Sequence, residues 1–163
     1  MALQNASNDR NLDRQGWQLL HLVQENARLS LRAIGEAIGL TPPAVAERVR
    51  RLEEAGIITG YHAEIDLAKA GLPVQAFISL TTNSQQSAHF RKAVGNMPEI
   101  IECHCVTGIE SYILKVAVRN VGQLEHLLMA LKDYGEVRTT VVLSIQVSRR
   151  IITAPPTENL ADE

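Results

Sequence analysis

Two cysteines and a histidine stand side by side in the segment Glu102–Tyr112, "ECHCVTGIESY". Thiolate and imidazole groups are common zinc ligands, so the first question is whether this segment forms a metal site. Successive side chains of a β-strand point to opposite faces, so Cys103 and Cys105 would share one face while His104 pointed to the other. The three groups could not close on one ion, and the other histidines are scattered. The spacing therefore predicts two small buried apolar residues on a sheet and no metal site.

The residues after the cysteines carry groups that suit a small zwitterionic ligand. The stretch "VTGIESY" predicts a tight turn at Gly108 between two strands. Backbone N–H groups at this turn could hold a carboxylate, while Glu110 or the hydroxyls could hold an ammonium group. A simple chain reversal is the alternative interpretation. The candidate residues are Thr107, Gly108, Glu110, Ser111 and Tyr112.

A second set of residues with chemical potential is a group of arginines in "TPPAVAERVRRLEEAG". The apolar residues that recur at helical spacing and predict a buried face are Val45, Val49 and Leu52. On such a helix Arg50 and Arg51 face outward and Arg48 lies on the flank, near a helix start that itself favours phosphate. We predict that Arg48 and Arg51 contact phosphate or guanine. A solvated face of i,i+4 ion pairs is the alternative.

Neighbours of these arginines complete the predicted DNA-binding surface. Thr41 is a good N-cap and offers a phosphate its hydroxyl or backbone N–H group. Glu47 either accepts a hydrogen bond from a cytosine amino group or orients Arg51 four residues on. The full predicted set is Ser30, Arg32, Thr41, Pro42, Pro43, Ala44, Glu47, Arg48, Arg50 and Arg51.

The elements around this surface predict a winged helix-turn-helix over residues 9–66. A first helix follows Leu12, and Ser30 caps a second helix that ends at Gly39. The arginine-bearing helix comes third, and "IITGYHAEID" predicts a β-hairpin that turns at its Thr-Gly pair. In such a unit the arginine-bearing helix lies in the major groove, and specific binding to two half-sites requires a dimer.

The rest of the chain predicts a linker, a second domain and a tail. Residues 67–73, "LAKAGLP", are the natural hinge. Residues 74–152 alternate in the order strand, helix, strand, strand, helix, strand, which is the ferredoxin-like βαββαβ arrangement. Residues 153–163 are acidic and proline-bearing, and predict a disordered tail. The predicted fold class is α+β, with the winged helix-turn-helix ahead of the ferredoxin-like domain.

Composition limits the classes of function. The 163 residues carry a net charge of −2 and are 45% hydrophobic, so a packed core is expected and bulk charge does not point to nucleic acid. No signal peptide and no apolar run of ~18 residues appear, which predicts a cytoplasmic protein with no membrane partner. Cysteines two residues apart on a strand have Cα atoms ~6.6–7 Å apart, which disfavours a disulfide. No cofactor is expected.

Several long stretches resemble the feast/famine family of bacterial and archaeal regulators, the leucine-responsive/AsnC type. They are "LDRQGWQLLHLVQENARLS", "AIGEAIGLTPPAVAERVRRLEEAGIITGY", and "ECHCVTGIESYILKV" followed by "VRTTVVL". The resemblance implies a transcriptional regulator with a winged helix-turn-helix, a hinge and a βαββαβ ligand-sensing domain. It also implies a homodimer that pairs through the sheet domains, assembles into an octamer, binds operator DNA and responds to a small effector, usually an amino acid.

The same resemblance places the effector at the turn between the second and third strands. Carried over residue by residue, the site is Thr107, Gly108, Ile109, Glu110, Ser111 and Tyr112, with Thr139 or Thr140 in the same pocket. The family commonly has a Gly-x-x-Asp turn, whose acid helps to hold the effector's amino group. Here Ser111 stands at the Asp position with Glu110 beside it, so the effector is expected to differ, to bind weakly or to be absent. Gly16 and Gly35 replace residues that are more usually Asp and Ala, and should soften their helices.

Two other functions stay open beside that of an effector-responsive regulator. Sirohaem decarboxylases have a similar architecture but typically carry a histidine- and aromatic-bearing stretch where "ECHCVTGIESYIL" stands here. Aromatic residues make up only 4% of the chain and the histidines are not clustered, so no general acid–base set is visible and an enzyme is not expected. The other possibility is an architectural protein that coats DNA without an effector.

Overall fold

Residues 12–155 are described by a computed structural model, in which the chain divides into two units. Among the described residues, the first unit comprises 12–63 and 147–155, and the second comprises Glu64–Gln146. The predicted domain start at residue 9 and residues 156–163 of the predicted tail lie outside the described residues.

Three helices form the framework of the first unit: α1 (Arg14–Glu25), α2 (Leu31–Ile38) and α3 (Pro42–Glu54). Side chains cap the first two, because Asp13 accepts from the Gly16 N–H at 2.7 Å and Ser30 accepts from the Ala33 N–H at 3.1 Å. The apolar stripes of the helices enclose a core of Leu19, Leu20, Ile34, Ile38, Val45 and Leu52. The predicted helix-turn-helix is confirmed.

The predicted β-hairpin after α3 is not formed. In the described part of the chain, no strand lies between Gly56 and Asp66. The Ile57 and Ile58 N–H groups both donate to the Leu52 carbonyl, at 2.9 and 3.1 Å, so the first half of the expected hairpin is used to terminate α3. The residues that follow form no strand and have no ladder partner within the described part of their unit.

The two segments at the unit boundaries make contacts that the sequence did not indicate. The predicted linker begins as a helical turn, in which the Ala70 N–H donates to the Asp66 carbonyl at 2.9 Å. At the other boundary the Gln24 side chain of α1 clamps the backbone of Ile152. Its amide nitrogen donates to the Ile152 carbonyl at 3.0 Å and its oxygen accepts from the Ile152 N–H at 2.9 Å. Residues 147–152, predicted to close the second domain, therefore pack with the first unit.

The second unit is a four-stranded antiparallel sheet with two helices. Its elements in chain order are β1 (Val74–Thr81), α4 (Ser84–Ala93) with a 3-10 turn (Val94–Asn96), β2 (Ile100–Cys105), β3 (Tyr112–Val118), α5 (Val121–Lys132) and β4 (Glu136–Val141). The strand order is β2-β3-β1-β4. This topology confirms the predicted βαββαβ fold.

The two faces of this sheet have different surroundings. On the helix side, Ala76, Ile78 and Leu80 of β1 are fully buried and share a core with Phe90 of α4 and Leu131 of α5. On the outer side, Phe77 is 44% exposed and lies between Lys115 of β3 and Thr140 of β4. The outer face is therefore a partly apolar surface in the single chain.

Candidate DNA-binding and effector sites

The turn between α2 and α3 positions the arginine-bearing helix. Gly39 ends α2 with a φ of 72°, a left-handed conformation that favours glycine, and the Leu40 N–H returns to the Gly35 carbonyl at 2.9 Å. Thr41 then forms the N-cap of α3, and Pro42 occupies the first turn. The Thr41 side chain makes no cap hydrogen bond and the residue is exposed, so its hydroxyl is available to a ligand.

Arg50 and Arg51 lie on the exposed side of α3, where both bind carboxylates of the same helix. Arg50 donates to Glu47 from Nε at 2.9 Å and from Nη2 at 2.7 Å, and its Nη1 donates to Glu54. Arg51 donates from Nε to the same Glu47 at 2.8 Å. Hydrogen bonds from Arg50 and Arg51 lower the pKa of Glu47 to about 2, so this carboxylate stays charged at neutral pH.

Arg48 is bound to α1. Its Nη1 and Nη2 donate to the two carboxylate oxygens of Asp13 at 2.8 and 2.9 Å, and Nη2 also donates to the Gln15 side chain at 3.1 Å. The hydrogen bond from Arg48 holds the pKa of the Asp13 carboxyl below its usual range. Arg48 thus ties the start of α1 to the middle of α3. Sequence reasoning missed this pairing, because no local signal connects residues 35 positions apart.

The remaining predicted DNA-binding residues lie at the starts of α2 and α3. The Ser30 hydroxyl is used as a helix cap, and Arg32 pairs with Glu36 at 2.9 Å on the exposed side of α2. Pro42 and Pro43 are exposed at the start of α3, and Ala44 is half-buried beside them. No described contact tests their role, so it stays a prediction.

The predicted effector turn is held together by backbone hydrogen bonds and by the Ser111 hydroxyl. The Val106 N–H donates to the Ser111 carbonyl at 3.1 Å, and Gly108 has a φ of 119°. The Ser111 N–H donates to the Leu80 carbonyl at 2.9 Å, while its hydroxyl accepts from the Thr82 N–H at 3.1 Å and donates to the Thr82 carbonyl at 3.3 Å. The side chain at the position where the family commonly has an acid is therefore already engaged with the end of β1.

Tyr112 belongs to the core beneath this turn. Its ring is 4% exposed and packs on Phe90 with centroids 4.9 Å apart, and its hydroxyl is hydrogen-bonded to the Ser87 hydroxyl at 2.8 Å. Ile109 is 76% exposed. Glu110 is half-buried and makes no side-chain hydrogen bond to any described residue, which leaves its carboxylate available.

The register of β4 separates the two candidate threonines. Thr139 pairs with Ile78 on the helix side of the sheet, and Thr140 pairs with Phe77 on the outer side. Their side chains therefore point to opposite faces, so only one of the two can line a given pocket.

The cysteine segment keeps its predicted alternation but not its predicted burial. Cys103 and Cys105 pair with helix-side residues of β3, whereas His104 lies on the outer face, 3.1 Å from Glu102. Both thiols are exposed, so the prediction of buried residues is wrong. The reason is that β2 is an edge strand, where one side lacks a neighbouring strand. Within residues 12–155, no three candidate metal ligands come together.

Family models match both units of the chain. The AsnC-type helix-turn-helix domain matches residues 12–53, and the Lrp/AsnC ligand binding domain matches residues 75–152. The chain belongs to the Lrp/AsnC family. The Lrp/AsnC ligand binding domain contains both the Thr107–Tyr112 turn and the β4 threonines, and the helix-turn-helix model contains all but one residue of α3.

Similar Lrp/AsnC proteins include several bacterial regulators. The chain is 39% identical over 127 residues to the uncharacterized HTH-type transcriptional regulator YezC of Bacillus subtilis, a match that covers 78% of this chain and 90% of YezC. The structure of Bacillus subtilis LrpC superposes with a TM-score of 0.81 at 31% identity, covering 85% of this chain and 99% of LrpC. A transcriptional regulator from Neisseria meningitidis, solved with L-Met, gives a TM-score of 0.79 at 26% identity over 88% of this chain and 96% of that one.

These relatives carry names that assign them to transcriptional regulation, and the domain models agree. As to membranes, the helices of the described residues are all too short or too polar to cross a bilayer.

Proposed function

We propose that this Lrp/AsnC protein binds double-stranded operator DNA, with α3 in the major groove. The observation that carries the proposal is the exposed side of α3, where Arg50 and Arg51 follow an accessible helix start at Thr41. The start of such a helix meets base edges, and arginines beside it reach phosphate or guanine. Arg48 can join them only by leaving Asp13, so its first role is to hold α3 against α1.

We further propose a homodimer that pairs through the outer face of the sheet and assembles into an octamer. One helix-turn-helix reads one half-site, so specific binding calls for two copies. Phe77 supplies an exposed aromatic ring near the middle of this face, and the Lys115–Glu102 ion pair of 2.8 Å supplies polar groups beside it. Burial of such an aromatic ring is a usual source of interface energy.

The proposed effector is an amino acid bound at the turn 107–112. The relative that was solved with L-Met supports this chemistry. In this chain Glu110 is the carboxylate available for the ammonium group, since Ser111 is engaged with Thr82. That engagement also favours a second candidate, a regulator whose DNA binding needs no effector.

The proposal includes no catalytic role and a cytoplasmic location. The matched relatives are named as regulators, and such a regulator works where its operator DNA is. We do not include sirohaem-decarboxylase-like activity in the proposal, because the matched relatives named above are regulators.

Arg51→Ala tests the DNA-binding surface directly. We expect weaker binding to a duplex that the wild-type protein has selected from a random pool, because one phosphate contact is lost. The slope of log K against log salt should become shallower by about one unit. Fluorescence anisotropy over a range of salt concentrations measures both quantities. Arg91→Ala, on exposed α4 of the second unit, is the matched control and should leave both unchanged. Wild-type affinity and slope in Arg51→Ala would contradict the assignment.

A thermal-shift screen of the common amino acids tests the effector site. A ligand present at 100 times its Kd should stabilise the second unit by about 2.7 kcal/mol, and Glu110→Gln should reduce that shift because the ammonium partner is neutralised. Glu125→Gln makes the same change at an exposed position of α5 and is the control. A flat response of the wild-type protein to every amino acid would favour the effector-independent regulator.

A further inference from the structure

We infer that Glu47 is a specificity-determining residue: it restrains the arginines of α3 on non-operator DNA and requires a cytosine amino group in the operator. The inference rests on the proposed DNA-binding function. It concerns what the α3 surface selects, and it follows from the contacts of one carboxylate.

The carboxylate of Glu47 is the shared partner of both outward arginines. It receives two hydrogen bonds from Arg50 and one from Arg51, all between 2.7 and 2.9 Å. With Glu54 as the other partner of Arg50, the exposed side of α3 carries two positive and two negative groups that neutralise one another. The unbound surface is therefore far less cationic than its arginines suggest.

Binding to DNA must exchange these partners. When Arg50 or Arg51 binds a DNA phosphate, the arginine forms a charge-assisted hydrogen bond to the phosphate and loses one to Glu47. On a random duplex the exchange brings little net gain, and it leaves a negative carboxylate facing a polyanion. The carboxylate remains charged even without its arginine partners, because an ordinary glutamate has a pKa of about 4.3, well below neutral pH.

An operator can remove this penalty by offering the carboxylate a donor. In the major groove the cytosine N4 amino group donates, and Glu is a recognised acceptor for it. Glu47 lies in the second turn of α3, between the helix start and the two arginines, so it comes to the base edges when they come to the backbone. Glu47 then weakens binding to most sequences. It strengthens binding to a site whose cytosine amino group lies within hydrogen-bond reach of its carboxylate.

Glu47→Gln separates these effects, because the amide has the same shape but neither holds a guanidinium by charge nor repels phosphate. Against a random-sequence duplex, we expect the variant to bind about 10-fold more tightly than wild type, with a salt slope steeper by about one unit. In selection from a random pool, it should lose the cytosine preference at one position of each half-site. Glu54→Gln, which releases Arg50 only partly, should give a smaller change in the same direction.

Glu125→Gln, at an exposed position of α5, makes the same change in net charge away from α3 and should match wild type. Glu47→Ala serves as a second release variant should the amide perturb folding. Random-duplex affinity and salt slope equal to those of Glu125→Gln, or an unchanged cytosine preference, would overturn the inference while leaving DNA binding intact. Failure of the wild-type protein to select any duplex would instead overturn the proposed function, and the inference with it.

Discussion

Phe90→Ala is expected to lower the free energy of unfolding of the second unit by about 3–5 kcal/mol, the largest effect of any substitution considered for this chain. Phe90 is fully buried in the helix-side core, and its ring contacts Tyr112 and Tyr134 with centroid distances of 4.9 and 5.6 Å. Removal of the ring leaves a cavity under Tyr112, the residue on which the proposed effector turn ends. We therefore expect any amino-acid response to disappear with the stability. Urea unfolding of the full chain, followed by tyrosine circular dichroism in the near ultraviolet, measures the loss.

The chain offers a matched control, because its only other phenylalanine is Phe77. Phe77 is 44% exposed on the outer face, so Phe77→Ala should cost the isolated chain less than about 1 kcal/mol. It should instead weaken self-association, which sedimentation velocity detects. Equal losses of stability in the two variants at a protein concentration where both are monomeric would contradict the assignment of the two faces.

Gly35→Ala is expected to destabilise the first unit by about 1–3 kcal/mol and to reduce DNA binding with it. A Cβ atom built on Gly35 would lie 2.4 Å from the Leu40 carbonyl oxygen and 3.5 Å from a methyl group of Val45. The nearest atom, the Leu40 carbonyl oxygen, belongs to the backbone of the turn between α2 and α3. A methyl group at residue 35 therefore requires that turn to shift. This close approach gives Gly35 a packing role in the turn, beyond the softening of α2 that the sequence indicated. Fluorescence of Trp17, the single tryptophan of the chain, reports the unfolding of this unit.

Gly95→Ala is the control for Gly35→Ala. A Cβ atom at Gly95 meets nothing within 4 Å, and its φ is not in the left-handed range. We expect this variant to be neutral or slightly stabilised, because alanine restricts the unfolded chain. A Gly35→Ala protein as stable as Gly95→Ala would show that the close approach to Leu40 relaxes without cost.

The elements with regular periodicity could be predicted from the sequence. Val45, Val49 and Leu52 identified the buried side of α3, and the order of strands and helices over residues 74–152 identified the second unit. Such patterns depend only on local geometry, and any packed partner satisfies them. The βαββαβ order and the helix-turn-helix followed from those patterns and from the glycine that ends α2.

The features that could not be predicted depend on partners distant in sequence. The hairpin after α3 was expected from β-prone residues, but the Leu52 carbonyl takes their N–H groups. Cys103 and Cys105 were expected to be buried, yet burial depends on the position of β2 at the edge of the sheet. At the proposed DNA-binding surface, the sequence predicted which arginines lie on α3. It could not predict that Arg48 binds Asp13, because that contact forms only when α1 and α3 pack together.

The clamp between Gln24 and Ile152 means that the first unit is assembled from two separate parts of the chain. During translation its three helices leave the ribosome long before the segment from Val147 does, and the whole effector domain is made in between. The first unit therefore reaches this set of contacts only after the segment from Val147 has been made, and a shortened product lacking that segment would carry an incompletely supported first helix.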